Sequence, residues 1–249
     1  MELCSLHPLD LDAVRAYVAA LETGDNGGLG LPDGPWSAHM LAEARQGYGR
    51  ARTGSEAGAN AVSYGMALLL ATREPTFVLP GAGLTPLEAR IDRGVGMLMR
   101  PPSRLFSDAG MDITAAWSMP IRLELSRGLM GGAYVPARLV PDLQALLEAR
   151  LGRFLRRFAG AEMDGVAITG ALLAACDAAI ARGMGLYEAM DVVTPDAPEA
   201  DPPGAVVFVA DRRKLDKALR RRLEDAAKPP KQPGLLGKML GRGASNPGG

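Results

Sequence analysis

Apolar positions near the start of the chain recur with the period of a helix. Between residues 10 and 22 they lie three or four positions apart, at Leu11, Val14, Tyr17, Val18 and Leu21. This spacing puts them on one side of an α-helix. The glycine-rich stretch 24–28 ends that helix and opens a loop to Pro35. A second helix is predicted over 38–52, with Ser37 as its cap.

The next part of the chain is less regular. Residues 55–60 contain small and polar side chains and are predicted to form a turn. The apolar run 61–71 that follows suits either a helix or a buried strand, although its length favours a helix. A proline at position 75 follows shortly after this run.

Short apolar runs separated by glycine and proline predict a strand-rich region over 76–135. The predicted strands are 76–79, 95–99, 104–107, 121–125 and 133–135. In the run 121–125, apolar and charged residues alternate, which is typical of a strand with one face in solvent. The sequence Thr85-Pro86-Leu87-Glu88 predicts a short helix, because threonine can cap it and proline suits the first position.

Helical periodicity returns after residue 139. One apolar stripe is formed by Leu139, Leu143, Leu146, Leu147, Leu151, Phe154, Leu155 and Phe158. Residues 167–181 are nearly all small and apolar, which predicts a helix buried on most sides, and a further helical turn is expected up to Met190. The acidic, proline-rich stretch 191–204 is predicted as a linker or surface loop.

These elements predict an α+β fold. We expect a globular body over 1–210 with a mostly antiparallel sheet at about 76–135, which the stretch 205–210 can extend. Helices from both flanks are expected to cover one face of this sheet, and the first residues are expected to be mobile. A basic helix over 211–228 and a flexible tail over 229–249 complete the prediction.

The charge distribution separates this body from its C-terminus. The chain of 249 residues has no net charge, yet residues 211–249 carry 11 Lys and Arg against 4 Asp and Glu. All five lysines lie after residue 210. Such asymmetry favours an anionic partner for the C-terminus. Cys4 and Cys176 lack metal-ligand spacing, and with no predicted signal peptide they indicate reduced thiols in a cytoplasmic protein.

Two basic segments are the candidate partner-binding residues. The first is a helix with the cations Arg212, Arg213, Lys214, Lys217, Arg220 and Arg221. The second is an amphipathic segment over 234–242 with Leu235, Leu236, Lys238, Met239, Leu240 and Arg242. We therefore favour a non-enzymatic cytoplasmic adaptor that docks to a protein or to an anionic membrane surface. Nucleic acid is disfavoured, because the basic helix has no Asn, Gln or aromatic residue for reading bases.

Other interpretations of the C-terminus remain open. The basic helix can be an ordinary solvated face. The acidic stretch 191–204 can hold that helix within the same molecule. The apolar segment 234–242 can occupy a groove on a partner or on the body itself. The oligomeric state is not predicted.

Little else in the sequence points to chemistry. A strand, the turn Gly81-Ala82-Gly83 and a helix start are the parts of an anion site. Pro86 stands where a dinucleotide motif has its third glycine, so an ordinary turn is predicted. His7 and His39 have no neighbours at ligand spacing. No metal or cofactor is expected.

The alternative function is a small enzyme or ligand-binding domain with a pocket beside the sheet. Its first candidate residues are Arg100, Arg104, Asp108 and Asp112, which are close together in the sequence near a predicted strand. A concave site with converging charged groups would favour this alternative, whereas a flat body would favour the adaptor.

Overall fold

The fold is α+β and is built on one mixed sheet. The computed structural model describes residues 3–119, 131–195 and 202–229. Within them the strands are β1 (Leu3–Leu9), β2 (Thr76–Pro80), β3 (Gly131–Val135), β4 (Gly185–Met190) and β5 (Val207–Val209). Their order across the sheet is β3-β4-β1-β2-β5. All neighbouring pairs are antiparallel except β2 and β5, which run parallel.

Helices connect these strands and account for most of the described chain. The longer ones are α1 (Leu11–Thr23), α2 (Pro35–Ala51), α3 (Glu56–Arg73), α7 (Val140–Ala149), α8 (Leu151–Gly160), α9 (Gly165–Ala181) and α10 (Lys217–Ala227). The shorter ones are α4 (Leu84–Pro86), α5 (Pro102–Asp108) and α6 (Ile113–Trp117). A π-helical turn at Leu87–Ile91 continues α4.

Helices cover both faces of the sheet, so the expectation of one covered face is wrong. Alternate strand residues belong to different apolar clusters, as the side-chain alternation of a strand requires. Val78, Tyr134 and Tyr187 pack with α1, α2, α3, α5 and α6. Leu79, Val135 and Leu186 pack on the other side with α7, α8, α9 and α10. Because both faces are buried, the strands lack the simple apolar and polar alternation that single-sequence analysis detects.

The N-terminus forms the middle of the sheet instead of a mobile end. β1 lies between β4 and β2, and its polar residues Ser5 and His7 are fully buried. Each polar side chain has a partner: Ser5 Oγ lies 2.8 Å from His7 Nε2, and Thr76 Oγ1 lies 3.2 Å from His7 Nδ1. Buried polar groups are tolerated when they are hydrogen-bonded, so two polar residues did not exclude a central strand.

Between 76 and 135 the described part of the chain is mostly helical. The predicted strand 104–107 lies inside α5, and residues 95–97 form a 3-10 turn. Pro102 starts α5 at the position where a helix tolerates proline. The predicted strands 76–79, 133–135 and 205–210 correspond to β2, β3 and β5. The predicted strand 121–125 lies outside the described residues.

Two further predictions assign the wrong type of secondary structure. Residues 185–190 form β4, not a helical turn, and pair along their length with β1. The stretch 56–60, predicted as a turn, is the first turn and a half of α3, where Ser55 Oγ accepts a hydrogen bond from Gly58 N. A serine that caps a helix and a serine in a turn look alike in sequence, since both use the same hydroxyl geometry.

The basic helix α10 packs on the body. Leu223 is fully buried, and Leu215 and Leu219 pack against the same cluster as α8 and α9. The Asp216 side chain caps α10 by accepting from the backbone N–H groups of Ala218 and Leu219. The narrow leucine stripe seen in the sequence is therefore the docking face of this helix.

Candidate anion-binding site

A cavity of about 330 Å³ lies at one end of the sheet. It forms where β1 ends at Leu9, β4 begins at Gly185 and β3 continues into Pro136. The N-terminal turn of α1 and one side of α5 complete the wall, since Leu11 and Leu105 both line the cavity. Sheet ends that are flanked by helix termini are common places for ligands, because side chains from several elements converge there.

Among the described residues, four arginines line this cavity: Arg15, Arg100, Arg104 and Arg138. They come from α1, the segment before α5, α5 itself and the segment after β3. Arg100 is fixed to the edge strand by two backbone hydrogen bonds with Tyr134, of 2.8 and 3.0 Å. Three regions that are distant in sequence, around residues 15, 100–104 and 138, thus bring positive charge to one hollow.

Three carboxylates of the described part of the chain, Asp10, Asp12 and Asp108, share the lining, and two of them pair with arginines. Arg15 Nη1 lies 2.8 Å from Asp12 Oδ1, and Arg104 Nε lies 3.8 Å from Asp108 Oδ2. Both pairs are more than half exposed to solvent, so each adds little to stability and can open at small cost. Asp10 caps α1 by accepting from Asp12 N.

Arg138 has no carboxylate partner among the residues that the structure describes. Arg100 Nη1 donates to the carbonyl oxygens of Met97 and Met99, at 3.0 and 2.6 Å, and not to an acid. The lining therefore contains guanidinium groups whose charge is not neutralised by contact with a carboxylate of the described residues. Such groups attract an anion from solution.

Tyr134 forms part of the cavity floor and is 6% exposed. Burial raises the pKa of its phenol, and the negative charge of Asp108 acts in the same direction. The charges of Arg104, Arg100 and Arg138 oppose this pKa shift. The phenol therefore stays protonated at neutral pH and can donate a hydrogen bond to a ligand oxygen.

The structure brings together three of the four residues singled out for the alternative function. Arg100, Arg104 and Asp108 line the cavity. Asp112 does not, because its Oδ1 caps α6 by accepting from Ala115 N at 3.1 Å. Asp112 instead borders a separate shallow depression beside Tyr48.

Sequence reasoning missed Asp10, Asp12, Arg15, Tyr134 and Arg138. Only Arg15 carried a usable signal: it lies on the first turns of a helix whose apolar stripe is clear, next to Leu11 at the edge of that stripe. The others depend on β1, β3 and β4 meeting at one end of the sheet. That meeting follows from the strand order, which the sequence does not display.

The glycine turn after β2 holds a carboxyl group that belongs to the protein itself. Glu188 on β4 is fully buried. Its Oε1 accepts from Thr85 N at 2.9 Å, and its Oε2 accepts from Thr85 Oγ1 at 2.6 Å. A Cβ on Gly83 would lie 2.4 Å from Oε1, so glycine is needed for this approach. The turn is occupied by this carboxylate and offers no place to an external phosphate.

Burial raises the pKa of Glu188 to about 7, although hydrogen bonds from Thr85, Leu84 and Ala133 oppose the shift. His7 shows the opposite effect of the same cause, since burial lowers its pKa to about 3. Neither side chain lines the arginine cavity. Both are parts of the core whose charge state is set by the fold.

The predicted basic surface is partly used to hold α10 and the segment before it. Arg212 pairs with Asp164, with nitrogen to oxygen distances of 2.8 and 2.9 Å. Arg222, which the sequence analysis did not single out, lies 2.8 Å from Glu148. Arg213 pairs with Asp211, and Arg221 lies 4.0 Å from Asp225. Lys214 and Lys217 are exposed, and Arg220 is half-buried. The candidate residues of 234–242 lie outside the described residues.

Comparisons with known proteins found no match among protein-family models, curated proteins or solved structures. In the described residues, no helix is both long enough and apolar enough to cross a membrane. The same residues contain no cluster of three or more side chains suited to hold a metal ion.

Proposed function

We propose that this protein binds a small anionic molecule in the arginine cavity at the end of the sheet. The observation that carries the proposal is the convergence of Arg15, Arg100, Arg104 and Arg138 on one hollow. Planar guanidinium groups suit carboxylate and phosphate oxygens, with which they form paired hydrogen bonds. The adaptor function remains a second candidate.

The size and the mixed lining of the cavity restrict the ligand. A volume of about 330 Å³ lies at the lower end of the range for small-molecule sites. The three lining aspartates offer acceptors beside the arginines. A ligand that carries an acidic group and hydroxyl groups, such as a hydroxy acid or a phosphorylated sugar, matches both sets. We expect the protein to bind this ligand in the cytoplasm, where thiols such as those of Cys4 and Cys176 stay reduced.

Titration calorimetry with citrate and with inorganic phosphate tests the proposal. We expect saturable binding of at least one of them to the full-length chain, with affinity that falls as salt is added. Arg104→Gln and Arg138→Gln should each weaken binding about tenfold, since a hydrogen bond between charged groups contributes roughly 1.5–3 kcal/mol.

Arg93→Gln provides the matched control. This arginine is exposed, lies in a turn and does not line the cavity. The Arg93→Gln variant loses one positive charge, as the cavity variants do. Because its cavity lining is unaltered, its affinity for the anion should equal that of the unaltered protein. Binding that Arg93→Gln weakens as much as Arg104→Gln would be non-specific attraction and would refute the proposal, as would the absence of binding.

The second candidate is the adaptor that docks through its basic C-terminus. The observation in its favour is that Lys214, Lys217 and Arg221 stay exposed after α10 has packed on the body. The ion pair of Arg222 with Glu148 holds the helix, and the ion pair of Arg212 with Asp164 holds the segment before it. Its outward cations are therefore presented on a fixed scaffold, which lowers the entropy cost of meeting an anionic surface.

Co-sedimentation with vesicles of phosphatidylserine and phosphatidylcholine tests this second candidate. The triple variant Lys214→Glu, Lys217→Glu, Arg221→Glu should lose binding, because each cation near an anionic bilayer contributes about 1 kcal/mol. Arg104→Gln serves as its control and should bind normally. Equal sedimentation of the triple variant and the unaltered protein would contradict this docking mode.

A further inference from the structure

An apolar groove lies along the edge of the sheet at β5. Its volume is about 400 Å³. The floor is formed by small residues of α9, including Gly170, Ala171 and Ala174, and one wall is formed by Phe77 and Phe208. These two rings stack with their centroids 5.4 Å apart. The groove is separate from the arginine cavity, since no lining residue is shared.

The groove is open to solvent in spite of its apolar lining. Phe208 is 51% exposed and the neighbouring Val206 is 54% exposed. β5 is the last strand of the sheet within the described residues, so its outer edge has no strand partner there. Contiguous apolar surface beside a strand edge favours a segment that covers it.

We infer that residues 234–242 of the same chain occupy this groove. The segment carries four large apolar residues at helical spacing, namely Leu235, Leu236, Met239 and Leu240. Their side chains would fill the hollow above the small residues of α9. Leu215 already packs where a Cβ of Gly170 would lie, so the incoming segment would lie further along α9, against the exposed Ala174.

The path of the chain makes the groove reachable. Asp211, Lys214 and Leu215 line the groove immediately before α10 begins. α10 has 11 residues and is therefore about 16 Å long. Leu235 follows the end of α10 by eight residues, which span up to about 26 Å when extended. The connecting stretch is thus long enough to return along α10 to the groove.

The tether also favours this occupant over a second molecule. A short flexible linker holds an attached segment at an effective concentration in the millimolar range. A segment from another copy, or a peptide from a partner, can displace the tethered segment only at a comparable concentration or with a higher affinity. Docking within the molecule is therefore the expected state of the free protein, and it leaves the cations of α10 as the exposed part of the C-terminus.

A nitroxide spin label on Ser245→Cys tests the inference in the full-length chain. The native thiols do not compete for the label, because Cys4 and Cys176 are both buried and burial raises the pKa of Cys176 to about 12. We expect strong relaxation of the methyl groups of Ala171, Ala174 and Val207 in NMR spectra. Ala38 on the exposed side of α2 is the internal reference and should be unaffected.

Three variants define the cause of this relaxation. Replacing Leu235, Leu236, Met239 and Leu240 by serine should reduce it at least about tenfold, given roughly 1 kcal/mol for each apolar side chain partly buried. Ala174→Phe, at an exposed position of α9, should block the groove and do the same. Neutralising Lys231, Lys238 and Arg242 as glutamine is the matched control and should leave the relaxation unchanged.

Absence of relaxation in the groove would overturn the inference. A mixed sample distinguishes relaxation within one molecule from relaxation between two molecules. It contains isotope-labelled protein without the nitroxide and protein that carries the nitroxide but no isotope label. Relaxation of similar strength in that mixture would come from a second copy, which also overturns the inference. Relaxation only in the doubly labelled molecule supports it.

Discussion

Replacing Glu188 with glutamine is expected to make the free energy of unfolding rise with pH between about 4.5 and 6.5. Burial raises the pKa of Glu188 from 4.5 to about 7. In this window the folded protein keeps a proton that the unfolded chain loses, so Glu188 makes stability fall as pH rises, by about 1.4 kcal/mol per pH unit. The glutamine variant lacks this contribution.

The slope that remains in the variant comes from His7. Burial lowers the pKa of His7 from 6.5 to about 3. Between these two pH values the unfolded chain binds a proton at His7 that the folded protein does not bind. Ser5 Oγ donates to the Ala189 carbonyl and so accepts from His7 Nε2–H, while the Thr76 hydroxyl donates to Nδ1. This network satisfies the neutral ring, and stability therefore rises with pH by a similar amount per unit up to about 6.5.

The two contributions cancel in the unaltered protein, whose stability should be nearly constant between pH 4.5 and 6.5. His7→Gln is the matched variant and should show the opposite slope, with stability that falls toward pH 7. Urea unfolding at a series of pH values measures all three proteins. Parallel pH profiles of the unaltered protein and Glu188→Gln would contradict the assigned charge states.

Gly47→Ala is expected to destabilise the protein by about 1–3 kcal/mol, the usual cost of overpacking a core. α2 and α3 cross where Gly47 faces Gly58. A Cβ on Gly47 would lie 2.8 Å from the Gly58 carbonyl oxygen and 2.8 Å from Ala61 Cβ. The crossing thus depends on the absence of a side chain, and thermal or urea unfolding measures the loss.

Gly49→Ala is the control, two residues further along the same helix. Gly49 is exposed, and a Cβ there meets no atom within 4 Å. This substitution should stabilise the protein by about 0.5–1 kcal/mol, because alanine is the better helix former. Equal effects of the two substitutions would mean that the helices do not cross at Gly47.

The sequence predicted the elements that have a single apolar face. α1, α7 and α8 follow from apolar stripes with solvent on the other side. β1 and β4 could not be recognised in the same way. Both lie in the middle of the sheet under two helical layers, and Ser5, His7 and Glu188 place polar groups inside them. Polar residues normally indicate positions exposed to solvent, and only the folded structure shows their buried hydrogen-bond partners.

Some of the residues that line the arginine cavity could be predicted from the sequence. Arg100, Arg104 and Asp108 are close in sequence, because Arg104 and Asp108 lie on the short helix α5 and Arg100 lies two residues before it. Arg15 and Arg138 reach the same hollow only because β1 and β3 end on the same side of β4. Strand order is a long-range property that no local pattern encodes.

The proposed anion site is tested most directly by the NMR signals of the arginine side-chain Nε–Hε groups. We expect addition of citrate or phosphate to shift the signals of Arg100, Arg104 and Arg138 along one saturating curve, because guanidinium groups that bind the same anion respond together. The signal of Arg93, which does not line the cavity, should stay in place. Equal, non-saturating shifts of all four signals would contradict the site.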